Sequence, residues 1–133
     1  MSGQIEKINE WIEKADHDLG SAKIISLHLP DYFDTIAFHC QQAVEKYLKA
    51  LLVFYGIEFL RSHDLIYLLE LLSEKIEIDD TKFQKAFTLN GFGVQLRYPN
   101  KIIKLTKADI DTAIHIAEEF RMFSVMIIGT GRS

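Results

Sequence analysis

The sequence has 133 residues, a length that favours one domain with a sizeable core. Its hydrophobic fraction of 48% and charged fraction of 26% are typical of a globular protein and argue against a disordered chain. The net charge of -4 argues against bulk electrostatic binding to DNA, although net charge alone does not exclude a local basic patch. Because there is no signal-peptide pattern and no apolar run of about 18 residues, we predict one cytoplasmic domain over residues 1–133, without a membrane span.

Apolar residues repeat at helical spacing along most of the chain, which predicts an all-α protein. We expect an up-and-down bundle of four to five helices. The first helix should run from about Gln4 to Leu29 and end there, because the residue before Pro30 is pushed out of the helical region. Gly20 in its middle costs about 1 kcal/mol relative to alanine, unless it serves close packing.

The segment from about 33 to 55 is the longest helical run, and its apolar positions cover most of the helix circumference. Such a helix is usually surrounded by other helices, so we predict that it is the buried centre of the bundle, ending at Gly56. The single cysteine, Cys40, lies on its apolar face and is expected to be a small buried hydrophobe. The polar side chains form one narrow stripe, made of His39, Gln42, Lys46 and Lys49, with Gln41 and Glu45 beside it.

The second half of the chain predicts three more helices, with a break between the last two. Ser62 should cap a helix over about His63 to Lys75, and a fourth helix should run from Asp79 or Asp80 to about Leu89. The sequence NGFG at 90–93 disfavours a helix, so residues 94–105 are predicted to be a long loop of functional interest.

Thr106 and Asp109 form a variant of the capping box at the start of the last helix. The end of that helix is apolar all round. The apolar residues there are Met122, Phe123, Met126 and Ile127. They form either a core contact with the first helix or a dimer contact.

Four segments resemble the HEPN domain family, the "higher eukaryotes and prokaryotes nucleotide-binding" domains. The central helix from Ala37 to Leu51 reads AFHCQQAVEKYLKAL and is similar to the family's signature helix. Ala15–Ala22 is similar to its first-helix motif, and Ser62–Leu65 to the start of its third helix. The RYP sequence of residues 97–99 falls where small prokaryotic members carry a similar loop.

This resemblance implies a bundle of four or five helices, commonly dimeric, that acts on nucleotides or RNA. It also implies a minimal nucleotidyltransferase as partner, in a pair of the toxin–antitoxin kind. Some members of the wider family are metal-independent ribonucleases that use an arginine followed, after four to six residues, by a histidine. No histidine follows Arg97, Arg61 or Arg121 at that spacing, so we expect no catalytic residue of this kind.

The candidate binding residues are cations and rings that suit a phosphate or a base. They are Lys46, Lys49, His63, Arg97 and Tyr98, with His39, Gln42 and Lys101 in support. Each also has a plain structural explanation, as a solvated helix face, a loop contact or a core residue. No P-loop, dinucleotide fingerprint or zinc spacing is present, so no cofactor or metal is expected.

Three hypotheses follow for this chain. The first is a non-catalytic module that binds a nucleotide or an RNA phosphate group and works with a nucleotidyltransferase. The second is a ribonuclease toxin with an altered active site, in which His63 or His39 is the base. The third is a purely structural dimer or adaptor whose apolar last helix is the working surface.

Overall fold

The computed structural model describes residues 2–97 and 104–131. Within them the chain forms five helices and no strand, which confirms the predicted all-α bundle. The helices are α1 (Ser2–His28), α2 (Phe33–Phe54), α3 (Leu65–Leu72), α4 (Asp80–Arg97) and α5 (Lys107–Gly131).

Helix α2 is the centre of the molecule, as the sequence predicts, because it packs against each of the other four helices. Ile36, Tyr47, Leu48 and Leu51 on this helix are fully buried. Gly56 ends it with a φ of 69°, while the N–H groups of Gly56 and Ile57 donate to the carbonyls of Val53 and Leu52. These two bonds are a Schellman motif, which explains why a glycine stands here.

Helix α1 covers one side of α2 with the face that the sequence predicts. Ile8, Ala15 and Leu19 are buried, whereas Ile5 at the start of the helix is 48% exposed. A Cβ added at Gly20 would meet no atom within 4 Å, so close packing within the molecule does not explain this glycine.

Helix α3 is shorter than predicted and begins later. Its N-cap is Asp64 rather than Ser62, because the Asp64 carboxylate accepts the N–H of Ile66 at 3.0 Å. The N–H of Leu65 donates to the side-chain oxygen of Asn90 on α4 at 3.1 Å, and the Asn90 amide donates to Asp64 at 2.8 Å. The first turn of α3 is therefore closed by protein acceptors rather than open to an external anion.

Helix α4 continues to Arg97 and does not end at Leu89 as predicted. The predicted helix breakers Asn90 and Gly91 lie inside it. The reason is tertiary, since Asn90 uses its side chain to cap α3 while its backbone stays helical. Residues 98–103 of the predicted loop lie outside the described residues.

Helix α5 begins as predicted, with a reciprocal capping box. The Thr106 N–H donates to Asp109 at 2.9 Å and the Asp109 N–H donates to the Thr106 hydroxyl at 3.2 Å. At the far end of the helix, Phe123 packs against the core, whereas Met122 and Met126 are 53% and 62% exposed. In the described part of the chain, no helix is both long and apolar enough to cross a membrane.

Candidate functional site

One polar cluster joins α1 to α2 through Asp18. His39 Nδ1 lies 2.9 Å from one Asp18 oxygen, and the ammonium of Lys46 donates to the other. The Asp18 side chain is only 14% exposed, so both contacts are partly shielded from water. Lys46 would have to leave this carboxylate to bind a phosphate.

A second cluster surrounds Glu45, the residue before Lys46 on α2. The Glu45 side chain is 4% exposed, and its two oxygens accept from Lys49 Nζ at 3.0 Å and His63 Nδ1 at 2.8 Å. Gln41 Nε2 donates to the backbone carbonyl of His63 at 2.8 Å and fixes the loop that carries the ring. The His63 side chain is 55% exposed, and its Nε2 atom has no partner among the described residues. Because the Glu45 carboxylate binds Nδ1 of His63, the other ring nitrogen, Nε2, faces outward.

Aromatic rings surround the ammonium of the second cluster. Lys49 Nζ lies 5.3 Å from the ring centroid of Trp11 on α1 and 5.9 Å from that of Phe59. Lys14 lies 5.9 Å from the Trp11 centroid, and the exposed Arg61 precedes His63 by two residues. Trp11 and Phe59 therefore flank the ammonium of a buried ion pair whose carboxylate also binds His63, with the exposed Lys14 beside Trp11.

Sequence reasoning missed Trp11 and Phe59 as site residues. For Trp11 a signal exists, since Lys14 three residues later shares its edge of the helix, and this is the only tryptophan of the chain. Phe59 lies in a short connection where one apolar residue has no periodic pattern to place it. We name the group Trp11, Phe59 and His63, with Lys14, Lys49 and Arg61, the ring surface.

The structure brings most of the predicted site residues together, but in two clusters rather than one stripe. Gln42 Nε2 donates to Gln41 Oε1 at 2.8 Å and so joins the Glu45 cluster through Gln41. Arg97 is the last residue of α4, and its side chain is not described. Tyr98 and Lys101 lie outside the described residues, so their place in the site stays a prediction.

Asp16, near the middle of α1, has structural partners. Asp16 accepts from the buried Tyr47 hydroxyl and, at 3.0 Å, from Arg121 Nε, which ties α1, α2 and α5 together. Burial, and then the hydrogen bond to Asp16, raises the pKa of Tyr47 above its usual range. No group of residues within the described ranges could hold a metal ion.

Cys40 is buried on α2, as the sequence predicts. Burial, and then the negative charge of Glu118, raises the pKa of its thiol to about 12. A thiol this hard to ionise is not a nucleophile at neutral pH.

Comparisons with known proteins agree on one family. The family model of the HEPN domain matches residues 8–128. A crystal structure described as an archaeal HEPN homologue is 28% identical, with a TM-score of 0.74 over 91% of this chain and 97% of the other. A Thermus thermophilus protein is 27% identical, with a TM-score of 0.78 over 89% of this chain and 95% of the other.

A HEPN domain protein from Thermotoga maritima shares the fold, with 21% identity and a TM-score of 0.73 over 90% of this chain and 98% of the other. No curated protein matches the chain.

Proposed function

This chain belongs to the HEPN domain family, and we propose that it is a non-catalytic module that binds a nucleotide or an RNA phosphate group. The observation that carries the proposal is the ring surface, where Trp11, Phe59 and His63 gather beside exposed cations. Aromatic rings stack on unpaired bases, and nearby lysine and arginine side chains bind phosphate. The proposal extends to a minimal nucleotidyltransferase as the partner protein, in a toxin–antitoxin-like pair.

The rings of this surface favour a single-stranded ligand, because they can stack on unpaired bases, and two exposed cations suit its phosphates. Lys49 is buried and paired with Glu45, so it holds the rings in place and does not contact phosphate. Lys14 and Arg61 are exposed and make no ion pair within the described ranges, so they are free to bind phosphate. The proposed site also includes a second basic segment, which consists of Arg97, Tyr98 and Lys101.

Metal-independent RNA cleavage is the second candidate, and one observation favours it. Glu45 orients His63 so that Nε2 faces outward, which is the geometry of a general base. The arginine–histidine spacing of ribonucleases in the family is absent, which is why binding is the leading proposal. Cleavage of short RNA in the presence of a chelator, lost in His63→Ala, would establish this second function.

Exposed methionines on α5 support a homodimer as part of the proposal. Met122 and Met126 are 53% and 62% exposed and lie four residues apart, which places two large apolar side chains on one exposed edge of α5. If dimer formation were the only role, Met126→Asp would abolish the dimer and the wild-type protein would bind no ligand. Sedimentation of both proteins, with and without a short RNA, distinguishes an adaptor from a binding module.

Thermal stabilisation by ligands tests the leading proposal. A ligand at about a hundredfold above its dissociation constant should stabilise the fold by about 2.7 kcal/mol. We expect a shift with a nucleotide or short RNA that is lost in His63→Ala and in Arg97→Ala. Lys75→Ala is the control, because Lys75 is exposed and lies outside the ring surface. A shift of equal size in all four proteins would place the ligand elsewhere.

A further inference from the structure

A groove separates the first turns of α4 from the middle of α5. Both helices pack against α2, and their backbones stay apart while side chains such as Lys85 and Glu119 bridge them, which leaves a cavity of about 440 Å³. Its lining includes Lys82, Lys85, His115, Phe120, Met122 and Phe123, none of which belongs to the ring surface. We propose that this groove is a second ligand site and that it takes a small aromatic carboxylate.

The floor and one wall of the groove suit a flat apolar body. Phe120 is 2% exposed, and its ring meets Phe123 edge to face, with centroids 6.5 Å apart and planes at 88°. Met122 is 53% exposed and offers a flexible thioether beside these rings. Small-molecule sites combine such an apolar lining with a few charged groups, in cavities of this size.

Lys82 is the cation that selects an anionic head group. Its ammonium lies 4.7 Å from the ring centroid of Phe123, at the edge of the apolar lining. Its only carboxylate partner among the described residues is Asp79, at 3.4 Å, and the Asp79 side chain is 62% exposed. An exposed pair at this distance contributes little, so a ligand carboxylate can replace Asp79 at small cost.

Each acidic side chain of the groove has a basic partner. Glu119 accepts from Lys85 with one oxygen and lies 3.0 Å from His115 Nε2 with the other. Glu118 is paired with Lys23 of α1 at 3.2 Å. A cationic ligand is disfavoured as well, because Lys82 already lies over the face of the Phe123 ring that would attract a cation.

The methionines provide a direct readout of binding. The chain has three, at positions 1, 122 and 126, and of the two that the structure describes only Met122 lines the groove. In protein labelled with ¹³C at the methionine methyl groups, 2-naphthoate should shift the Met122 signal saturably and more than the Met126 signal. With about 13 non-hydrogen atoms, this ligand should bind with a dissociation constant of about 1 mM or tighter.

Charge variants of probe and protein test the assignment. Lys82→Gln should weaken 2-naphthoate binding about fivefold, whereas Lys75→Gln should leave it unchanged. Neutral 2-naphthalenemethanol should bind the wild type more weakly than 2-naphthoate does. The proposal fails if 2-naphthoate leaves Met122 unshifted, shifts all three methionines alike, or binds Lys82→Gln as tightly as the wild type. Since no nucleotide is used, these outcomes do not depend on the ring surface.

Discussion

At the scale of single residues, Lys46 and Lys49 of α2 have different environments, although the sequence predicts both as phosphate ligands. Lys46 is 22% exposed beside Asp18, whereas Lys49 is 8% exposed beside Glu45, a carboxylate that is itself 4% exposed. Removing one partner of a buried pair leaves an uncompensated charge, while a partly solvated pair contributes less. The structure therefore gives Lys49 a mainly structural role.

We expect Lys49→Met to lower the free energy of unfolding by about 3 kcal/mol and Lys46→Met to lower it by about 1 kcal/mol. Both variants keep an unbranched side chain, so the difference reports the burial of the carboxylate left behind. Urea denaturation of the two variants and the wild type measures it. Equal losses would show that Glu45 is not shielded from water in solution.

Cys40 makes stability depend on pH in the alkaline range. Burial raises the pKa of this thiol from 9.0 to about 12, so the folded state keeps a proton that the unfolded chain loses. The stabilisation is complete below pH 9 and is lost as the pH rises towards 12, by up to about 1.4 kcal/mol per pH unit. The raised pKa of Tyr47 acts in the same direction above its ordinary value of 10.0.

The free energy of unfolding should therefore fall between pH 9 and pH 11, and fall less steeply in Cys40→Ala. Urea denaturation at a series of pH values measures both slopes, and a Tyr47→Phe variant separates the phenol contribution. Identical slopes for the wild type and Cys40→Ala would contradict the assignment.

Prediction from sequence works for residues whose neighbours lie on the same helix and fails for those whose partners are distant. The burial of Cys40 follows from helical spacing alone. The pairing of Lys46 with Asp18 joins two helices, so spacing within either helix does not reveal it. The contribution of Trp11 and Phe59 to the ring surface likewise depends on how α1 and the α2–α3 connection meet.

At the scale of elements, Asn90 shows how a side chain can serve a helix other than its own. It lies within α4, where asparagine is a poor helix former, and caps the first turn of α3. Capping and propensity therefore predict effects of opposite sign for its replacement by alanine.

We expect Asn90→Ala to lower the free energy of unfolding by about 1 kcal/mol, because the loss of the cap outweighs the gain in helix propensity. The adjacent Gly91→Ala is the matched control. A Cβ at position 91 would meet no atom within 4 Å, so this variant should be more stable by up to about 1 kcal/mol. Thermal denaturation of both variants gives the signs, and a more stable Asn90→Ala would refute the capping role.

Local signals determine the ends of some helices and tertiary contacts the ends of others. The start of α5 and the end of α2 are predictable, because the capping box and Gly56 act within a few residues. The extension of α4 through residues 90–93 is not predictable in this way, because the hydrogen bonds of the Asn90 side chain are made to α3.

At the scale of the whole molecule, contacts converge on α2, which packs against all four other helices. A helix in this position should make folding cooperative, and residues 1–133 should unfold as one domain. The apolar circumference of α2 in the sequence already indicates this architecture.

Leu48→Ala, at a fully buried position of α2, should therefore lower the free energy of unfolding by about 2–5 kcal/mol. Far-UV circular dichroism and the fluorescence of Trp11 should shift together. Leu27→Ala is the control, since Leu27 is 75% exposed and its loss should change stability by less than about 0.5 kcal/mol. Separate transitions for the two probes would show that α1 unfolds independently.

The fluorescence of Trp11 tests the proposed function most directly, because the only tryptophan of the chain lies in the ring surface. Titration with short single-stranded RNA should change its emission saturably, and His63→Ala should weaken the apparent affinity about tenfold, since loss of a stacking ring costs about 1–3 kcal/mol. Lys75→Ala should titrate like the wild type. An unchanged emission, or equal affinities in the wild type and His63→Ala, would contradict a binding site on this surface.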